Sequence, residues 1–323
     1  MTEYTQEEYR LKAALVSKLK IALTLCKHNK GTEHPDYADY LIKLADIYVD
    51  FNLFLKAEML YQQALSIRKE TLGENHPTTV SSINKLALFH KELGNYKLAE
   101  TLYQQALSIR KETLGENHPD YIFSIENLAL IYELQDENLK AKLLYFKAFA
   151  VRRQFLGEKH PDYINNLDSL SYWCLNKGFD EDAEYLFKRL ILIKKQVLGE
   201  QHSDVADAIV CLGDLLDKRG DYKQALSLYF KALSIRRYLF GKESFDYIQE
   251  LNELAIWCYE SKLNKNAINL FKESLVLSKK LLGENHPICI DVIKSLLKIY
   301  KKQHKWTQVC QLESQLTKVT NKQ

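Results

Sequence analysis

Proline is almost absent from this sequence, 5 residues in 323, and glycine is scarce at 11. No glycine-rich loop exists in which successive backbone amides could cradle a phosphate, which argues against the familiar nucleotide-binding folds. Long apolar runs are missing too: nothing approaches the ~20 residues that span a bilayer, and the opening MTEYTQEEYR is polar and acidic with no apolar core before Ala13. A soluble, unexported chain residing in the cytoplasm is expected. The six cysteines form no CxxC pair and no regular framework, so disulfide or zinc scaffolding has no support and reduced thiols are expected. Nor is there an excess of charge of either sign. Lys and Arg number 45 against 42 Asp and Glu, a net charge of +3, too little for the basic field that drives nonspecific binding to nucleic acid or membrane.

The few glycines and prolines that are present are periodic. Gly31, Gly73, Gly115, Gly157, Gly199, Gly241 and Gly283 fall 42 residues apart, and every proline (Pro35, Pro77, Pro119, Pro161, Pro287) lies four residues after one of them. The segment from Ala57 to Pro77 recurs from Ala99 to Pro119 with a single change, Met59 to Thr101, and weaker copies begin at Leu156, Leu198, Phe240 and Leu282. A register without insertion or deletion from Gly31 to Gly283 means that each unit packs on the next.

Within one unit, Leu41, Leu44, Ala45 and Tyr48 recur at three- and four-residue spacing, as do Ala57, Tyr61, Ala64, Leu65 and Ile67, so each unit contains two amphipathic helices. Glycine at the end of the second helix suits a left-handed cap, and proline suits the first turn of the next helix. Small residues occupy two columns, Ala45, Ala87, Ala129, Ser171, Gly213 and Ala255 in the first helix and Ala57 through Ala267 in the second. They allow close helix approach.

These residues resemble tetratricopeptide repeats: Ile83, Leu86, Ala87, His90, Ala99, Tyr103 and Ala106 in one copy follow the pattern of that family, and so do Ile125, Leu128, Ala129, Tyr132, Ala141, Tyr145 and Ala148 in the next. The 42-residue period and the LGxxHPD junction are similar to the kinesin light chain type. The resemblance implies an all-α fold, a right-handed superhelical solenoid of antiparallel helix hairpins. Residues 1–30 are expected to form an N-terminal capping helix that uses Leu15, Leu19 and Ala22. Residues 31–300 hold six full copies and the start of a seventh, and residues 301–323 a degenerate C-terminal capping helix, with Glu313 where other copies have an aromatic. Kinesin light chains carry a long N-terminal heptad segment for their heavy chain, and about 30 residues precede the first junction here, so an adaptor is expected rather than a motor subunit. Such an array would also suit a microbial protein acting in a host cytosol.

Catalytic chemistry finds little purchase. His34, His76, His118, His160, His202 and His286 share the junction column, but one histidine per hairpin, with hairpins stacked roughly 20 Å apart, cannot converge on one metal ion, so each is expected to bond a helix-end carbonyl. No carboxylate pair is singled out for acid–base work and no nucleophile turn is present. No enzymatic activity, cofactor or metal is expected. A basic column at Lys69, Lys111, Arg153, Lys195, Arg237 and Lys279 reads as a solvated face near helix C-termini.

By the same resemblance the first helices line a concave groove, and their second, fifth, ninth and twelfth positions face it. The candidate partner-binding residues are Asp39 and Asp46 in the first copy, Asn84 in the second, Phe123 and Glu126 in the third, and Asn165, Asp168 and Tyr172 in the fourth. Asp207 and Asp214 follow in the fifth, Asn252 and Tyr259 in the sixth, and Lys294 and Lys298 in the seventh. Apolar anchors such as Phe123, Leu130, Tyr172, Ile256 and Tyr259 ringed by charge are how peptides are held. The expected function is a non-catalytic protein–protein interaction adaptor that holds a peptide or helical segment of a partner, with basic and apolar residues matched to the acidic copies and an acidic part toward Lys294–Lys301. A monomer is expected. The alternative is a self-assembling solenoid that stacks end to end through Leu15 and Leu19 or Leu312 and Leu316.

Overall fold

The computed structural model describes residues 6–320; the first five and last three residues of the expected terminal caps lie outside the described residues. Its helices are α1 (Gln6–Lys30), α2 (Pro35–Asp50), α3 (Phe54–Leu72), α4 (Pro77–Glu92), α5 (Tyr96–Leu114), α6 (Pro119–Leu134) and α7 (Asn138–Leu156). They continue as α8 (Pro161–Asn176), α9 (Asp180–Leu198), α10 (Ser203–Lys218), α11 (Tyr222–Phe240), α12 (Phe245–Glu260), α13 (Asn264–Leu282), α14 (Pro287–Lys302) and α15 (Trp306–Thr320). Among the described residues there is no strand. The chain divides into two compact units, residues 1–157 and 158–323. In each, every helix packs on the next in sequence, so each unit is a stack of antiparallel hairpins whose first helix has 16 residues and whose second, α15 excepted, has 19.

The constancy of the junction has two physical causes. At the end of α3, Gly73 sits at φ 91°, ψ 161°, a region open essentially to glycine alone. This differs from the left-handed helical cap expected from the sequence and is more restrictive than it, which accounts for a glycine every 42 residues. The next helix is then capped from its own side: the Nδ1 of His118 accepts the amide of Asp120 at 3.1 Å, and His34, His76, His160, His202 and His286 do the same two residues on. The junction histidines therefore serve helix starts rather than helix-end carbonyls. Where histidine is replaced, Ser244 caps α12 by accepting the Tyr247 amide.

The turn inside each hairpin is a Schellman motif. In the second copy, Gly94 takes φ 76° and the Asn95 amide donates to the His90 carbonyl at 2.9 Å. Asn52, Asp136, Lys262 and His304 hold the same column at φ 55–61°.

The core follows the two stripes. Leu41, Ile83 and Ile125 in unit 1, and Leu167, Ile209, Leu251 and Ile293 in unit 2, are buried, as are the small columns beside them. Fully enclosed Tyr103 and Tyr121 in unit 1, and Tyr163, Phe187 and Phe271 in unit 2, supply the largest buried side chains, each worth about 1.5–3 kcal/mol of transfer free energy. At the N-terminus α1 caps α2, but with a face rotated from the expected one: Leu19, Leu23 and Cys26 are buried, whereas Leu15 is 46% exposed. The spacing 19, 23, 26 aligns one stripe against α2, and Leu15 falls off it. At the other end Leu312 is buried and Leu316 packs on the same cluster. Leu19 and Leu312, two of the side chains proposed for end-to-end stacking, are thus engaged in the cores of their own units.

Candidate partner-binding face

The acids that the sequence places on the first helices are internally paired by a set of cations that periodicity alone did not reveal. Arg68, Arg110, Arg152, Lys194 and Arg236 occupy one column of the second helices, one residue before the basic column noted above. Arg68, 8% exposed, pairs with Asp39 of α2 and also donates to the Thr78 carbonyl at 2.9 Å and to Ser82 Oγ of α4 at 2.7 Å. Arg110 repeats this one copy on, donating to Ser124 Oγ at 2.6 Å, while the amide oxygen of Asn84, oriented toward it, accepts at 3.0 and 3.1 Å. Burial lowers the affinity of Arg110 for its proton, and the nearby Asp120 opposes that effect.

Arg152 grips Glu126 in a two-pronged pair at 2.6 and 3.1 Å. In unit 2, buried Lys194 meets Asp168 at 2.7 Å, and Arg236 is held between Asp207 and Glu250. Burial works against the Arg236 charge, but the two carboxylates outweigh it and hold its pKa up. Each cation thus finds its partner at the second or the fifth position of the first helix, never both: Asp39 and Asp207 at one, Asn84, Glu126 and Asp168 at the other.

A second column uses tyrosine. The hydroxyls of Tyr61, Tyr145 and Tyr229 donate to Asp46, Glu133 and Asp214, and Lys85 reaches Asp46 at 3.1 Å. The acids expected to attract a basic segment in the first, third and fourth copies are therefore bonded to the protein's own cations and tyrosine hydroxyls. The expectation of a basic partner loses its support there.

Beside these pairs the face presents apolar side chains. Phe123 is 52% exposed in unit 1, with the Arg110 guanidinium 6.0 Å from its ring centre. In unit 2, Tyr172 and Ile256 are 43% and 46% exposed. The Tyr172 hydroxyl lies 2.7 Å from Cys211 Sγ and its ring stands edge-on to Phe187. Toward the C-terminal end Lys298 covers the ring of Tyr259 at 5.4 Å, and Lys294 meets Asp291 at 3.7 Å. Asn165 is exposed, while Asn252 is half-buried with an enclosed side-chain oxygen that has no partner.

A concavity of about 430 Å³ lies in unit 2. Its walls are Val210 and Asp214 of α10, Tyr229, Leu233 and Arg236 of α11, and Glu250, Glu253 and Trp257 of α12. At Gly213 a Cβ would stand 2.7 Å from the Tyr229 ring, and this tyrosine packs edge-on to Trp257 at 4.7 Å. Burial pushes the Asp214 carboxyl up, the Tyr229 hydroxyl pulls it down, and the Asp217 charge adds to the rise.

Residues 44–111 and 78–154 match one model of the tetratricopeptide repeat family, and residues 205–246 and 251–288 match a second. The chain belongs to the tetratricopeptide repeat family. Among solved structures, this tetratricopeptide array is similar to the kinesin light chain TPR-like repeats of Podosopora anserina, at 23% identity over 64% of this chain and 98% of that one, with a TM-score of 0.52. It is also similar to BtubC (BKLC) of P. vanneervenii, at 22% identity over 72% and 92%, with a TM-score of 0.52. At these identities the likeness is one of fold. No curated protein sequence matches the chain.

The outer basic column of the repeats is also largely paired: Lys69, Lys111, Lys195 and Lys279 each reach the junction glutamate five residues on, at 2.6–4.0 Å. Among the described residues no cluster of three or more His, Cys, Asp or Glu side chains could hold a metal ion, and no helix is long and apolar enough to cross a membrane.

Proposed function

We propose that this tetratricopeptide array is a non-catalytic adaptor that holds a segment of a protein partner against the exposed face of its first helices. The supporting observation is the contrast on that face. Asp39, Glu126 and Asp168 are paired with the protein's own cations, whereas Phe123 in unit 1, and Tyr172 and Ile256 in unit 2, stand about half exposed at positions where burial would be favourable. Half-exposed aromatic and aliphatic anchors inside a polar rim are what hot spots consist of. Tyr172 and Ile256 share one column two copies apart in unit 2, with Asp214 between them, so an extended or helical segment could engage alternate copies there.

The test is a random-peptide display selection on the full chain, followed by affinity measurements on the selected peptides. Replacing Tyr172 and Ile256 together with alanine should weaken binding at least tenfold and leave far-UV ellipticity as it was; because Tyr172 also bonds Cys211 and packs on Phe187, Ile256→Ala alone, which should weaken binding several-fold at an unchanged melting temperature, keeps the loss of binding apart from any loss of stability. Binding unchanged in the double variant would place the partner surface elsewhere. Asp168, by contrast, is unsuitable as a binding probe, since its loss strands Lys194.

A further inference from the structure

Resting on that reading, we propose that the hollow between α10, α11 and α12 is a pocket for a positively charged side chain, an arginine or lysine, of the partner segment. Three observations converge on it. The 430 Å³ cavity adjoins a second of about 390 Å³, and the two share Arg236, Glu250 and Glu253 as a common wall. Together they offer the depth of a side-chain site rather than of a flat surface.

Charge is the second observation. Of the cations in the Arg68 column, Arg236 alone is paired with two carboxylates among the described residues, and the two cavities it lines hold five, Asp207, Asp214, Asp246, Glu250 and Glu253. Two of them satisfy the guanidinium. Asp214 is bonded only to a neutral tyrosine hydroxyl, and Glu253 accepts only from the Gln249 amide at 3.2 Å. The hollow therefore carries an excess of negative charge inside protein walls, where an entering cation is attracted more strongly than at an open surface.

The third observation is aromatic. The column of Trp257 holds buried Leu215 and Ile299 and a second half-buried indole, Trp173, elsewhere in unit 2; Trp173 stacks on Phe179, whereas Trp257 walls the cavity beside the Tyr229 ring. Aromatic faces beside carboxylates are the combination that retains guanidinium and ammonium groups. Glycine at 213, where the other full copies have alanine or serine, lets the Tyr229 ring lie closer to α10 than a Cβ would allow.

The experiment follows the indole N–H resonance of Trp257 in the full chain, assigned by Trp257→Phe, during titration with N-acetyl-argininamide and with its uncharged isostere N-acetyl-citrullinamide. The resonance should shift saturably with the arginine compound, at least tenfold more weakly with the citrulline compound, and less as salt is raised. Glu253→Gln, and separately Asp246→Asn, should each weaken the arginine titration several-fold with no change in melting temperature. Equal shifts with both compounds, or no shift of Trp257, would overturn the proposal. The peptide selection separates this from the reading it rests on. Peptides retained with no need for Arg or Lys would sink the cation pocket and keep the adaptor; argininamide binding with no peptide retained would do the reverse.

Discussion

Gly213→Ala is the sharpest test of how the pocket is built. Alanine is the commonest residue of this column, and in the interior of a helix it is favoured over glycine by about 1 kcal/mol, so repeat averaging would recommend the change. The structure argues the opposite. The new methyl would lie 2.7 Å from Cε1 and 3.1 Å from Cδ1 of Tyr229, so the ring would have to move off its present contacts. Its hydroxyl is tied to Asp214 at 2.7 Å and its edge rests on Trp257. Overpacking of this kind costs about 1–3 kcal/mol, and withdrawal of the ring would forfeit a hydrogen bond worth about 1 kcal/mol. The net expectation is a loss of about 1–2 kcal/mol. In a Tyr229→Ala background the clash disappears and the same change should stabilise by up to about 1 kcal/mol, a reversal of sign and a coupling of about 2–3 kcal/mol. Urea denaturation, followed by far-UV ellipticity and by tryptophan fluorescence to guard against uncoupled repeats, would measure the cycle. An additive cycle, or stabilisation in both backgrounds, would refute the packing argument.

Lys194→Met should destabilise the chain by about 1–2 kcal/mol, because it leaves Asp168 beside an apolar wall without its counterion; adding Asp168→Asn should recover most of the loss in the same urea assay. Alkylation of the native protein with iodoacetamide, read by mass spectrometry, should modify exposed Cys310 first and leave Cys258 for last, since burial pushes the Cys258 thiol up to about 12. Asp214→Asn should be more stable than the parent at neutral pH, and the difference should vanish on acidification. The Asp214 carboxyl is raised in the folded state, so its contribution to stability is full below the unfolded value and is lost as pH rises through the folded one. An Asn variant whose stability difference stays constant from neutral pH down to acid would contradict this.

Much of the fold was legible because stacking imposes strict columns: Leu41, Ala45, Ala57 and Tyr61 announce their helices and their burial. The junction histidines were legible as structural but not in their role, since a ring nitrogen can serve either the helix that ends or the one that begins, and only the extended backbone at His118 decides. The candidate site was harder. Asp39, Glu126 and Asp168 look free in a sequence, and their partners Arg68, Arg152 and Lys194 lie 26 or 29 residues away on another helix. A signal was present nonetheless. The column at 68, 110, 152, 194 and 236 is cationic throughout although it lies beside the buried stripe at Ile67, and a cation recurring at a core margin calls for a recurring acceptor. Gly213 gave a weaker hint, a helix-interior glycine where the other full copies have alanine or serine, meaningful only once the Tyr229 ring is in view.

The cation column also bears on how such a chain can change length. Arg68 and Arg110 clasp the hydroxyl of the following hairpin at Ser82 and Ser124, and both arginines lie inside the near-identical segments from Ala57 and from Ala99. A duplicated copy therefore arrives with its clasp and meets a ready catch, so the array can grow by whole copies without stranding a charge. Near its end the fastening changes type: Ser278 replaces the cation and Val292 stands where Ser82 would be. Donor and acceptor have been given up together, and growth beyond that joint would need a different coupling.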